Sequence, residues 1–290
     1  MRTALVTDST ARPVPSVVTV VDLDVVVDGT PAREVDTDLD ALLARMTAGA
    51  QVGTSRPSPH GFALAYAAAA EAGASAVVSV HLSGALSGTV EAARLAARDA
   101  PVRVEVVDTC SVGAVLSVAV TVGAVAAADG ADARLVARLV RRVGEESRTW
   151  FSPATAAHLL HGGRAAADQG RSVLGARPLL LVQGGRLVPL ERVRTTGRLL
   201  DRFGELAVDR VREVAGAGGL EVEVEVAVQH AGAAGVAEDL ASRVRARLTG
   251  PGAGGALGDV PVRVGVLSPV IAAHVGPGAL GVAVVVAPTS

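Results

Sequence analysis

Three short apolar runs, each ending in a polar turn, constrain this chain more than any other feature. Residues 3–7 run into Asp8-Ser9-Thr10. Residues 76–82 run into Ser83-Gly84-Ala85-Leu86-Ser87-Gly88-Thr89, and 102–107 into Asp108-Thr109-Cys110-Ser111. Helical spacing follows the second turn at 90–98 and the third within 110–128. Buried strands that alternate with helices imply βαβ units and a mainly parallel sheet. The three turns then fall on one sheet edge, where ligands gather in open α/β folds. Asp8 has two readings there, a ligand-facing carboxylate or an Asx turn that satisfies its own backbone.

A second feature is Gly53-Thr54-Ser55-Arg56-Pro57-Ser58-Pro59, which is read as a hydroxyl-rich turn before an amphipathic helix. Ser58 followed by Pro59 is a good helix start, a hydroxyl N-cap and then a ring whose missing N–H costs nothing. Hydroxyls and backbone N–H groups at such a start can hold a carboxylate or phosphate. A plain helix cap is the competing reading.

The segment 110–128 is uncharged and nearly long enough to span a membrane. Its Ala/Val/Gly content and interspersed Ser111, Ser117 and Thr121 predict instead a buried helix packed closely on a sheet. At 290 residues there is room for two domains. The composition shifts after Asp129-Gly130, an Arg-rich helix is predicted over 132–146, and the boundary is placed near Arg148. The expected domains are 1–148, with the mainly parallel sheet, and 149–290, smaller and of mixed α/β type. Within the second, a helix is expected at 154–160 and a hairpin over 176–193. A further helix is expected at 195–214, strands at 221–228, 262–267 and 282–286, and a helix at 236–248.

Composition excludes several functions. All 27 basic residues are Arg, dispersed in a chain of net charge -2, which leaves no nucleic-acid footprint. The single cysteine, Cys110, excludes an internal disulfide and a multi-cysteine metal site. His158 and His161 have near-helical spacing but no evident third ligand. Dinucleotide binding would need G-x-G-x-x-G after the first strand, where only Asp8-Ser9-Thr10 stands, and a P-loop is absent. Asp8 follows the first strand too soon for a signal-peptide core, so a cytoplasmic protein is expected. An α/β hydrolase or phosphotransferase acting at the Asp8/Ser87 edge, with Ser87, His274 and Asp8 as a triad, is the alternative. No G-x-S-x-G elbow supports it.

Five stretches occur in one order: Asp8-Ser9-Thr10-Ala11, Gly53 to Pro59, Leu82 to Thr89, His161-Gly162-Gly163-Arg164, and His274-Val275-Gly276-Pro277-Gly278-Ala279-Leu280-Gly281. Together they resemble the DegV family of bacterial fatty-acid-binding proteins across essentially the whole chain. The resemblance implies two α/β domains enclosing one long-chain fatty acid, such as palmitate, with no cofactor. It implies a carrier without catalytic activity that presents the carboxylate to a separate, ATP-dependent fatty acid kinase subunit. Transient contact with a membrane surface is compatible with that role. Thr54 and Ser87 are then the hydroxyls on the carboxylate, with Ser55 and Gly88 beside them, and Arg194 and His274 face the same head group. Two departures stand out. The family's Thr-Thr-Ser-Gln-Pro appears here as Gly53-Thr54-Ser55-Arg56-Pro57, which adds a positive charge, and Tyr-Leu-x-x-Gly-Gly-Arg appears as Leu159-Leu160-His161-Gly162-Gly163-Arg164. Arg56 is open to two readings, a head-group or kinase contact and a solvated side chain.

Overall fold

The structure, a computed structural model, describes residues 2–154, 176–217, 222–250 and 259–289. Strands β1 (Thr3–Asp8), β6 (Ala76–His81) and β7 (Arg103–Asp108) are the three apolar runs. With β2 (Thr19–Val21) they form an all-parallel sheet in the order β2-β1-β6-β7. Buried Val, Leu and Ala on both faces explain why these strands read as continuous apolar runs rather than as alternating ones. The three polar turns lie together at the strands' C-terminal ends, as the sequence predicts.

Helices α2 (Pro59–Glu71) and α3 (Thr89–Ala97) cover one face of this sheet, with Phe62, Tyr66, Ala92 and Ala93 packed on Val6 and Val77. Helices α4 (Ala114–Ala128) and α5 (Ala133–Glu146) cover the other through Leu116, Val120, Val136 and Val140. Among the described residues no helix is long and apolar enough to cross a membrane. Helix α4 is charge-free for a different reason: it is held between two sheets, so more than one of its faces is apolar.

The second sheet has six strands in the order β10-β9-β8-β13-β11-β12. These are β8 (Arg148–Ser152), β9 (Arg177–Gln183), β10 (Arg186–Val193), β11 (Val222–His230), β12 (Val262–Val266) and β13 (Leu280–Pro288). All pairs are antiparallel except β11 with β12. Ala227, Ala283 and Val285 face α4 and α5. The opposite face, with Val226, Val228, Val282 and Val284, packs on α6 (Thr196–Gly216) and α7 (Ala234–Thr249). The fold is therefore α/β, layered as helices, parallel sheet, helices, mixed sheet, helices.

A three-stranded antiparallel sheet, β4 (Thr30–Arg33), β3 (Asp24–Val27) and β5 (Val52–Ser55), forms an excursion from the parallel one. Together with α1 (Leu39–Thr47) it packs on α8 (Pro269–Val275) from the C-terminal half, through Leu23, Val25, Leu42, Leu43 and Val270. Two expectations change here. Thr54 and Ser55 lie on β5, not in a turn, because antiparallel pairing to Asp24 and Val25 extends the backbone up to the helix start. Residues 269–275 form a short helix that the sequence reading passed over. The helix expected at 154–160, the His158/His161 pair, and His161 to Arg164 lie outside the described residues.

The close approach of α5 to the end of β7 gives a stability test. A Cβ on Gly144 would overlap the Thr109 carbonyl oxygen, which belongs to the backbone and cannot swing aside. Gly144→Ala should therefore destabilise by about 1–3 kcal/mol despite the better helix propensity of alanine. Gly197, near the start of α6, has nothing within 4 Å of that position. Gly197→Ala should leave stability unchanged or raise it by up to about 1 kcal/mol. Urea unfolding of both variants checks the pair, and equal effects would contradict the packing described.

Candidate ligand-binding site

The C-terminal turns of the parallel sheet, β5, α8 and the inner face of the six-stranded sheet line a cavity of about 320 Å³. Its walls are mostly aliphatic, with Leu23, Leu82, Leu86, Leu187, Leu267 and Val270 among them. Polar groups gather at one place. Thr54 Oγ1 on β5 is hydrogen-bonded to His274 Nε2 on α8 at 2.8 Å. Ser87 and Gly88 at the start of α3, together with Arg56, complete this polar part of the lining.

Local sequence explains how each is held. Ser87 Oγ pairs with Thr89 Oγ1 at 2.8 Å and accepts from Thr89 N–H, so it shapes the first turn of α3. Gly88 occupies the N-cap position of α3. A Cβ there would run into the Arg56 side chain, which lies across it. The helix dipole adds partial positive charge at this point. His274 is placed by α8, which starts with Ser268 accepting from Ile271 N–H and Pro269 at its first position. It stops at Gly276, where φ of 81° suits glycine. Ser268-Pro269 and Gly276 were the signals for this helix, and Ser268-Pro269 repeats the Ser58-Pro59 start of α2, where Ser58 accepts from Gly61 N–H.

Two of the residues expected at the head group lie elsewhere. Ser55 follows Thr54 on a strand, so its side chain turns to the opposite face and donates to Asp24 Oδ2 at 2.9 Å. Arg194 is exposed just before the α6 N-cap, Thr195, and is not among the residues lining the cavity. Arg56 is exposed and has no hydrogen-bond or ion-pair partner among the described residues, although its stem covers Gly88.

The Ser87–His274–Asp8 triad does not assemble. Ser87 is paired with Thr89, His274 with Thr54, and Asp8 with His81. Asp8 is fully buried and accepts from Thr10 N–H and Thr10 Oγ1 on one oxygen, and from Leu82 N–H and His81 Nδ1 on the other, the last two at 3.0 Å. The Asx-turn reading of Asp8 therefore holds, with the addition that it ties β1 to the end of β6. His81 continues the network through Ser79 to Tyr66, whose hydroxyl is pushed up to about 12 by burial.

Three residues around the cavity were not found from sequence. Glu34, in the 3-10 turn Glu34–Asp36, is fully buried and accepts from Ser9 Oγ and, at 2.8 Å, from Val270 N–H at the start of α8. It thereby joins the end of β1 to the helix that carries His274. Gln229, near the end of β11, accepts from Ala114 N–H at 2.9 Å and lines the cavity. Leu187 on β10 completes the wall beside the tip of the β9–β10 hairpin, where Ser83 Oγ donates to Gly185 C=O at 2.8 Å.

A family model described as "Uncharacterised protein, DegV family" matches residues 2–287. The chain belongs to the DegV family. A DegV domain-containing protein of Streptomyces coelicolor is 39% identical over 290 residues, 97% of each chain. A DegV protein of Thermus thermophilus, whose structure is described as showing fatty acid binding, superposes with a TM-score of 0.85 at 29% identity and covers all of both chains. A stearic acid-binding protein of Eubacterium ventriosum shares the fold, with a TM-score of 0.82 at 21% identity over 97% of each chain.

Glu34 makes a pH prediction for this DegV chain. Burial raises its carboxyl above the ordinary value of 4.5, against the opposing bonds from Ser9, Val270 and Ser268 and the charge of Arg12. The folded state thus binds this proton more tightly than the unfolded one. Its contribution to stability is largest on the acid side and is lost as pH rises from about 4.5 through the raised folded value. The stability difference between wild type and Glu34→Gln should fall over that interval and then level off. A difference independent of pH, from urea unfolding at stepped pH, would remove Glu34 as the titrating group.

Proposed function

We propose that this chain binds a long-chain fatty acid, its tail in the apolar cavity and its carboxylate at Thr54, Ser87, Gly88 and His274. The observation that carries the reading is the union of an aliphatic slot of about 320 Å³ with one polar cluster built from three elements. The fatty acid binding described for the Thermus relative supports it. The bound acid is presented to a separate, ATP-dependent fatty acid kinase subunit. The chain is then a cytoplasmic carrier, residues 1–148 and 149–290 act as the two domains that close on the ligand, and catalysis belongs to the partner.

Chemistry favours an acid over other apolar ligands. Two hydroxyls, an imidazole and a helix start can all direct hydrogen bonds or partial positive charge at one oxygen pair. Hydrogen bonds to a charged group contribute roughly 1.5–3 kcal/mol each. An alcohol of equal length gains less from every one of them. Mass spectrometry of the organic extract of purified protein should show an acyl ligand. A clean extract, with no fatty acid taken up on titration, would defeat the reading.

Substitutions at the polar cluster should separate head from tail. Thr54→Val and Ser87→Ala each remove a donor and nearly keep the shape, so fatty-acid affinity should fall roughly five- to a hundredfold. Binding should persist through the tail, and the double variant should be non-additive because both hydroxyls serve one carboxylate. The matching fatty alcohol should lose little. Calorimetry with acid and alcohol decides: equal losses for both ligands would reduce the two hydroxyls to helix and strand caps. Arg56→Gln should change affinity by less than about threefold, under roughly 1 kcal/mol, since the guanidinium is exposed beside the cluster. A hundredfold loss would make it a principal carboxylate ligand.

A further inference from the structure

The slot carries one hydroxyl that the polar cluster does not use. Among the described residues that line it, Thr54, Ser87 and Thr149 bear hydroxyls. Thr54 is bonded to His274, and Ser87 to Thr89. Thr149 Oγ1 is buried and has no hydrogen-bond partner among the described residues. A buried hydroxyl without a partner has lost its hydration and gained nothing in exchange. A valine of the same shape would suit a purely apolar wall better.

Strand β8 explains where this hydroxyl lies. Its side chains alternate, so Trp150 turns to the layer of α6 and α7 while Thr149 and Phe151 turn to the slot. The strand is an inner one, and Thr149 stands between Val182 of β9 and Ala283 of β13. Neither neighbour has a side-chain donor or acceptor. Gln229, the other polar side chain on the sheet wall, already accepts from Ala114 N–H. The polar cluster comes from β5, α8 and the start of α3, so Thr149 is a separate polar point on a different wall.

The surroundings leave room for a ligand there. Gly281 and Ala283, the slot-facing residues of β13 beside Phe151 and Thr149, have no side chain or a single methyl group. A ligand can therefore lie close against the sheet at this point. Rotation of Thr149 about χ1 between staggered wells exchanges its methyl and its hydroxyl at the wall without moving the backbone. A threonine hydroxyl both donates and accepts, so it can pair with either kind of oxygen on a chain.

We infer that Thr149 is a second ligand-binding residue of the slot, and that the acyl chain it favours carries a hydroxyl or oxo oxygen at the carbon that passes it. This rests on the fatty-acid reading and narrows it from long-chain acids in general to oxygenated ones. Thr149 Oγ1 donates to an oxo oxygen, and it donates to or accepts from a hydroxyl. A plain chain leaves it unpaired and is held by tail and head group alone.

Titration of wild type, Thr149→Val and Thr149→Ser with stearate and with monohydroxystearates, the hydroxyl moved stepwise along the chain, tests it. In wild type one isomer, or two adjacent ones, should bind about three- to tenfold more tightly than the rest of the series. Thr149→Val should level the series while stearate stays within about threefold of wild type, and Thr149→Ser should restore the preference. Urea unfolding should find Thr149→Val as stable as wild type or more so, since it removes an unpaired buried group and keeps the shape. Wild type that binds every isomer alike, or a Thr149→Val variant that keeps the wild-type preference, overturns the proposal. A clear loss of stability in Thr149→Val overturns it as well, because the hydroxyl is then satisfied within the fold. Failure of wild type to bind stearate and every isomer would instead refute the fatty-acid reading itself, so the two failures are distinguishable.

Discussion

The site depends first on a carboxylate that does not line the cavity. Asp8 is buried where β1 ends, and each of its oxygens has two donors. Burying such a charge without donors would cost several kcal/mol. The chain therefore has to bring Thr10, His81 and the Leu82 amide to it. In doing so it fixes the exit of β6, and with it the loop from Ser83 to Gly88 that carries Ser87. A second buried carboxyl, Glu34, performs the corresponding task across the two halves, joining Ser9 to the first turn of α8. The hydroxyl of Thr54 and the imidazole of His274 meet at 2.8 Å where β5 packs directly on α8, whose first turn Glu34 anchors.

The parallel sheet was legible because its strands are buried on both faces, so apolar runs stand out and each ends in a turn that water or ligand must satisfy. The polar cluster of the cavity was legible only in part. Thr54, Ser87, Gly88 and His274 meet at one cavity, whereas Ser55 does not, since Val52-Gly53-Thr54-Ser55 is too short for its alternation to be recognised as a strand. Read as a turn, adjacent hydroxyls can share a ligand; on a strand, adjacent side chains diverge. Arg194 was carried over on resemblance alone, and its exposure before α6 separates it from the cavity lining.

Other residues were hidden for different reasons. Helix α8 has seven residues, fewer than a periodic pattern needs, although its Ser-Pro start and glycine stop were present. Gln229 continues the strict alternation of β11 on the face of Glu223 and Glu225, and alternation alone assigns that face to solvent. Local pattern reports which face a residue occupies but not what packs opposite it. Here α4 closes over that face, and the polar end of the alternation becomes part of a cavity wall. Glu34 was invisible for the same reason, an acidic residue in a polar loop that is buried only because a helix some 236 positions away docks on it.

On the proposed fatty-acid reading, the division of labour within the site follows from magnitudes. Each methylene withdrawn from water contributes roughly 0.8 kcal/mol, so about a dozen supply on the order of 10 kcal/mol before ordering costs. A polar cluster that adds roughly 1.5–3 kcal/mol per charged hydrogen bond cannot rival that sum. It can, however, decide which end of the molecule lies at the sheet edge, because a carboxylate reversed into the aliphatic slot would lose its hydration with no donors in return. Affinity therefore resides in leucine, valine and alanine side chains that many sequences could supply. Orientation would then fall to the polar groups of Thr54, Ser87 and His274.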